Sequence, residues 1–249
     1  MKCWRHSLLV MALVAECAWA ASAPNELFQK AGRAYDAGQF VEAATNYLAL
    51  VAQGNRTPEV YFNLGNAEFR AGQDGAAVLA YRRAWQLAPR DADIAANLQF
   101  ALEQTGAVLP TTTPWEHIFQ SLSTREWRLI AFISFWFMAG MACLALLLPK
   151  RRALFRAIVL LLFAALLAAV GGVGYWFDLQ IRQPEAVVIQ PANVLSAPLP
   201  NTIKLFALPA GSIVRIESHD GAWWHVRQGA RAGWLPQTNC LAVCSAQEN

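Results

Sequence analysis

The sequence predicts a multidomain membrane protein built, in order, from an all-α repeat array, a two-helix transmembrane hairpin and a small all-β barrel. Three observations predict it. Aromatic and small residues recur at a spacing of 34 near the N-terminus, two long apolar runs flank a basic turn, and after Pro184 the pattern becomes short and extended between prolines and glycines.

Composition agrees with this division. Of 249 residues, 56% are hydrophobic and only 15% charged, and the mean hydropathy is positive, which is more apolar than a purely soluble domain requires. The formal charge is +3; residues 1–20 hold +1 of it and residues 150–156 hold +4, which leaves −2 for everything else. A nucleic-acid-binding surface gathers Lys and Arg to displace phosphate counterions, and the soluble parts gather none, so nucleic acid is discounted as a partner.

Residues 1–20 read as a signal peptide: Lys2 and Arg5 precede an apolar run at 8–15, and Ala18 and Ala20 are the small residues of a cut before Ala21. The run is short for a membrane span, although an uncut anchor stays open as the alternative.

The segment 24–104 carries the repeat. Tyr35 matches Phe69, Gly38 matches Gly72, Gln39 matches Gln73, Ala43 matches Ala77 and Tyr47 matches Tyr81. Each unit is expected to be a helix pair turning at Gly38 or Gly72, where glycine supplies the left-handed backbone of a helix exit. With Tyr61, Leu64, Gly65, Ala77, Tyr81, Ala84 and Pro89 at signature spacings, the second unit resembles a tetratricopeptide repeat; the first departs from that pattern at Leu50 and Asn55. A third helix from Asp91 to Gln104 repeats Asn63-Leu64 as Asn97-Leu98 and reads as a cap. Tyr47 and Tyr81 are expected in the core. The resemblance places Phe28, Tyr35, Phe62, Asn63, Asn66, Arg70 and Asn97 on a concave, partner-binding face, with the amides reading an extended peptide backbone and Arg70 a carboxylate.

Residues 105–126 are a linker followed by a juxtamembrane helix, in which Trp115, Ile118, Phe119 and Leu122 share one face suited to a membrane surface. Ser123 or Thr124 with Glu126 marks the next helix start. Residues 127–148 and 157–177 are both long enough to cross about 30 Å of hydrocarbon. Lys150, Arg151, Arg152 and Arg156 in the loop 149–156 set the topology, because positive loops stay cytoplasmic, and both flanking domains then fall on the periplasmic side. The apolar runs 129–148 and 157–177 within these spans hold no Asp, Glu, Lys, Arg or His, which argues against transport. Ala164, Ala168 and Gly172 form a small-residue stripe expected to pack on the first span.

In the region 184–244, strands are expected at 186–189, 212–217, 222–228 and 231–235, separated by turn residues. The runs Leu208-Pro209-Ala210-Gly211, Gly221-Ala222-Trp223-Trp224 and Gly233-Trp234-Leu235-Pro236 resemble a bacterial SH3-like domain, and that resemblance points to a groove of Trp223, Trp234 and Pro236. His219 and His225 lack a third ligand at a recognisable spacing, so no metal is expected. Cys240 and Cys244 are the two cysteines in this region; an extended strand would hold their α-carbons about 13 Å apart, so a disulfide between them requires a bend and stays open. Residues 245–249 are a tail.

No nucleophile elbow, phosphate loop or paired metal-binding histidines occur, and the chain is expected to be no enzyme and to use no cofactor. In its order of parts it resembles the BatE family of the Bacteroides aerotolerance (Bat) operon. The resemblance implies a non-enzymatic inner-membrane scaffold with two spans, in a Bat complex with von Willebrand factor A-domain proteins, tied to oxygen tolerance or envelope stress. Two other readings fit the same parts: a cytochrome c maturation factor capturing an apoprotein peptide, and a peptidoglycan-tethering module for a wall hydrolase.

Overall fold

The computed structural model describes residues 25–108, 113–182 and 184–243; the expected signal peptide, Cys244 and the tail lie outside the described residues. Five helices open the described chain: α1 (residues 25–36), α2 (Phe40–Ala52), α3 (Pro58–Arg70), α4 (Asp74–Leu87) and α5 (Ala92–Thr105). Turns of three to five residues join them, so each packs on the next.

Local chemistry sets these boundaries. The Thr57 side chain caps α3 by accepting from the Val60 amide, with Pro58 at the first helical position. Asp91 caps α5 by accepting from the amides of Asp93 and Ile94. Gly38 and Gly72, both expected at helix exits, have φ of 77° and 76°, where a side chain would be strained. Ala43, Tyr47, Leu50, Leu64, Ala67 and Ala84 fill the core between the helices. Gly65 lies flat beneath the Tyr81 ring, and a Cβ there would collide with it.

Helix α6 (Pro114–Gln120) starts with a capping box of Thr113 and Glu116, and α7 (Thr124–Leu147) starts with one of Ser123 and Glu126. A short 3-10 turn, Pro149–Arg151, leads into α8 (Arg152–Phe177), which continues as a π-helical turn, Asp178–Arg182. The helices α7 and α8 are long and apolar enough to cross a membrane. Their large side chains face outward, among them Phe132, Trp136, Leu147, Leu160 and Leu167. Left in water, so continuous an apolar surface would aggregate. The loop expected at 149–156 is shorter than that: Arg152 and Arg156 already belong to α8, because nothing after Pro149 breaks the helical run.

The expected stripe on α8 is displaced. Ala164 and Ala168 face outward, while Ala169, Gly172 and Trp176 form the buried seam against α7. The cause is Trp127, whose indole lies against Gly172 and leaves no room for a Cβ. Two further indole bonds close this end of the hairpin: Trp127 Nε1 donates to the Phe119 carbonyl at 3.0 Å and Trp176 Nε1 to the Leu122 carbonyl at 2.9 Å.

Seven antiparallel strands follow: β1 (Glu185–Val188), β2 (Ala192–Leu195), β3 (Lys204–Leu208), β4 (Ile213–Asp220), β5 (Trp223–Gln228), β6 (Arg231–Pro236) and β7 (Cys240–Ala242). They form one sheet in the order β3-β2-β6-β5-β4-β1-β7. Where the sequence suggests a closed barrel, the ladder is open between β3 and β7. The strands β2, β3 and β7 are not among the expected ones, being brief and set among Pro191, Pro198 and Pro200. Val188, Val194, Leu208, Val214, Val226, Leu235 and Cys240 make the sheet's own core.

The sheet does not hang free from the hairpin. Val187, Ile213 and Val243 share one apolar cluster with Ala77, Val78, Leu98 and Leu102 of α4 and α5. The helix array and the sheet are thus packed into one body. It sits at the end of the hairpin opposite Pro149–Arg151, with Trp85 of α4 6.4 Å from Trp176 of α8 and Arg90 paired to Glu126.

Candidate functional site

The residues expected on the concave face of the array take part in three separate aromatic contacts. The rings of Tyr35 and Phe40 meet edge to face at 5.3 Å, and the Arg70 guanidinium lies 4.5 Å above Phe40. Phe62 packs 6.0 Å from Tyr81, whose hydroxyl donates to Asn66 Oδ1 at 2.7 Å. Burial pushes the Tyr81 hydroxyl well above the usual phenol range, so it stays a neutral donor. Phe28 packs edge to face on Tyr47 at 5.6 Å.

These contacts decide which side chains can meet a partner. The Asn66 acceptor is engaged inside the array, and Asn97 Nδ2 donates to the Asp93 carbonyl of its own helix at 2.8 Å. Asn63 is half-buried, while Arg70 is exposed. Of the residues expected on this face Arg70 alone is exposed; Phe28, Tyr35, Phe62, Asn66 and Asn97 are half-buried like Asn63. Glu68, on the same helix, is half-buried, and burial raises its carboxyl above the ordinary range.

The sheet brings Trp223, Trp234 and Pro236 together. Trp223 stands opposite Pro236, and His225 opposite Trp234, so all four side chains project from one face of the β5–β6 pair. The neighbours Trp224, Val226 and Leu235 take the other face and the core. The rings of His225 and Trp234 lie 5.0 Å apart. Glu217 holds His225 Nδ1 at 3.0 Å and also pairs with Arg227, whose hydrogen bond keeps the Glu217 carboxyl below the usual range. Beside Pro236 opens a cavity of about 330 Å³, lined by Pro191, Asn193, Leu195, Asn201 and Lys204. Half-exposed aromatics next to a cavity make a surface able to take a peptide.

Cys240 is buried in the sheet core, 3.8 Å from the Pro236 carbonyl oxygen, and burial pushes its thiol up to about 12. Among the described residues no three His, Cys, Asp or Glu side chains converge to hold a metal ion.

The junction between array and sheet is the arrangement that sequence reasoning does not find. Arg82 Nε and Nη2 reach Glu185 Oε2 and Oε1 at 2.8 and 2.9 Å, with both side chains almost wholly buried. Arg83 donates to the carbonyls of Ala242 and Val243, both at 2.9 Å. Gly75 lies against the backbone of Ile189 without space for a methyl group. The available signal is an opposite-charge pair set into two apolar faces, Arg82 in α4 and Glu185 in β1, but no local pattern says that they meet.

No protein-family model matches the chain, and no curated protein matches it in sequence.

Proposed function

We propose that this chain is a non-enzymatic scaffold of the bacterial inner membrane that displays tetratricopeptide-like and SH3-like modules in the periplasm for protein partners. One observation carries the reading: the array and the sheet are fused through Arg82 and Glu185 at one end of the apolar hairpin, while Lys150, Arg151 and Arg152 mark the other. Under the positive-inside rule the basic end is cytoplasmic, so the fused body lies outside. A platform with two half-exposed aromatic surfaces is suited to holding partners in fixed relation.

The resemblance to the BatE family supplies the partner class, membrane proteins with von Willebrand factor A domains acting in aerotolerance or envelope stress. Affinity capture of the full chain from solubilised membranes should recover such A-domain proteins, and substitution of Arg70 and Trp223 by alanine should reduce their recovery at least tenfold. Recovery of none, from membranes that contain them, would overturn the partner assignment. Recovery of cytochrome c apoproteins or of wall hydrolases in their place would transfer the scaffold to those assemblies.

A further inference from the structure

A second cavity, of about 510 Å³, opens where the end of α5 meets the sheet. Three guanidinium-bearing residues line it, Arg215 on β4, Arg227 on β5 and Arg231 on β6, and no Asp or Glu does. Arg215 stands opposite Arg227 on one face of the β4–β5 pair, and Arg231, opposite Gln228 beside the tight turn at Gly229, borders the cavity from the other face.

Their positive charge is only partly answered. Arg227 pairs with Glu217, a carboxylate that also holds His225. The carboxylate nearest Arg215 is Glu116, at 3.8 Å, and its other oxygen caps α6 through the Thr113 amide and hydroxyl. Arg231 has no carboxylate partner among the described residues; its guanidinium lies 4.8 Å over the Phe206 ring, which orients it. A fourth polar group lines the same cleft: Ser212 is fully buried, and its hydroxyl has no hydrogen-bond partner. A buried hydroxyl in that condition favours any ligand oxygen that can satisfy it.

We propose that this cleft is a binding site for a phosphate ester. A phosphate offers a double charge and several acceptor oxygens to guanidinium forks, whereas a single carboxylate would satisfy one of the three. Ile213, Leu208 and Val108 supply an apolar wall for the organic part of the ester. Such an ester has two sources, a soluble phosphate ester or the headgroup of an anionic phospholipid, since Glu116 ties Arg215 to the juxtamembrane helix.

The test uses the full chain in nanodiscs of phosphatidylcholine alone and in discs containing phosphatidylglycerol, with glycerol 3-phosphate titrated by calorimetry and bound lipid counted by native mass spectrometry. Binding is expected to weaken with salt, to fall at least tenfold in Arg231→Gln and to fall severalfold in Ser212→Ala, with circular dichroism and melting unchanged. Glycerol 3-phosphate binding that persists in phosphatidylglycerol discs identifies a soluble ligand. Binding displaced there, with retained phosphatidylglycerol that Arg231→Gln sheds, identifies the lipid. Absence of both, or equal binding by a folded Arg231→Gln variant, overturns the site.

Discussion

Arg82 of α4 and Glu185 of β1 lie 103 residues apart in sequence and face each other through two hydrogen bonds of 2.8 and 2.9 Å in a buried interface. The entire hairpin α7–α8 is inserted between them. Their pairing brings the chain on either side of the hairpin into one body, so the helix array and the sheet are halves of one platform. Domain boundaries drawn at 104 and 184 describe the order of the parts and not their independence.

A buried ion pair is a poor source of net stability but a costly thing to break, because the remaining charge has no water to return to. Replacing Arg82 by Ala, or Glu185 by Ala, should destabilise the folded platform by about 3–5 kcal/mol. Replacing both by Met should recover most of that loss. Chemical unfolding of the full chain in detergent, followed by circular dichroism, reads all three variants; a single substitution within 0.5 kcal/mol of wild type would remove the pair from the docking interface.

Gly75 tests the same interface sterically. A methyl group at this position would meet the Ile189 backbone, which cannot rotate away as a side chain can. Gly75→Ala should therefore cost about 1–3 kcal/mol through overpacking, despite the gain of up to about 1 kcal/mol that alanine brings to a helix. Gly32→Ala is the internal control, since its Cβ would meet only the Tyr47 hydroxyl at 3.9 Å. That variant should melt at or above the wild-type temperature, and Gly75→Ala several degrees below it.

The helical part of this fold was legible because its rules are local. The glycines at 38 and 72, the start of the third helix at Asp91 and the helix start at Ser123 with Glu126 are each set within one or two turns, and the structure puts each at a helix end. The strands β2 and β3 were less legible: four and five residues long, they gain order only by pairing with each other and with β6. The seam on α8 was misplaced for a related reason. Small residues at 164, 168 and 172 suggest one stripe, but the position of Trp127 decides which small residue is covered. Of the candidate surfaces, Trp223, Trp234 and Pro236 came from the resemblance to an SH3-like domain, and the register of β5 and β6 puts them on one face. The engagement of Asn66 by Tyr81 was not, because it depends on how two helices rotate against each other.

Cys240 should behave as an inert core thiol. With its ionisation pushed from 9.0 to about 12, the thiolate fraction at pH 8 is roughly a thousandfold lower than for an open thiol, before any steric protection is counted. The folded-state value lies above the unfolded one, so the associated stability is fully present below pH 9 and is lost as pH rises toward 12. Iodoacetamide labelling of the native chain, read at this residue by mass spectrometry, should be negligible at pH 8 and become rapid in guanidinium chloride. Fast labelling under native conditions would mean that β7 leaves the sheet.

The orientation of the platform rests on very few charges, which makes it easy to perturb. Lys150, Arg151, Arg152 and Arg156 gather at one end of the hairpin, and Trp127, Tyr175 and Trp176 at the other. If the basic end anchors in the cytosol, alkaline phosphatase fused after Asn249 should be active in the wild-type chain. Changing all four basic residues to Gln removes the retention signal while leaving the apolar spans intact. Such a variant should lose at least half of its phosphatase activity per molecule, with a matching gain from a cytosolic reporter at the same place. Neutralising Arg125 and Arg128 at the opposite end should leave the activity unchanged, because positive charge there opposes the orientation rather than setting it. A phosphatase fusion that is silent in the wild type, paired with an active cytosolic reporter, would place both aromatic surfaces inside the cell and end the periplasmic reading.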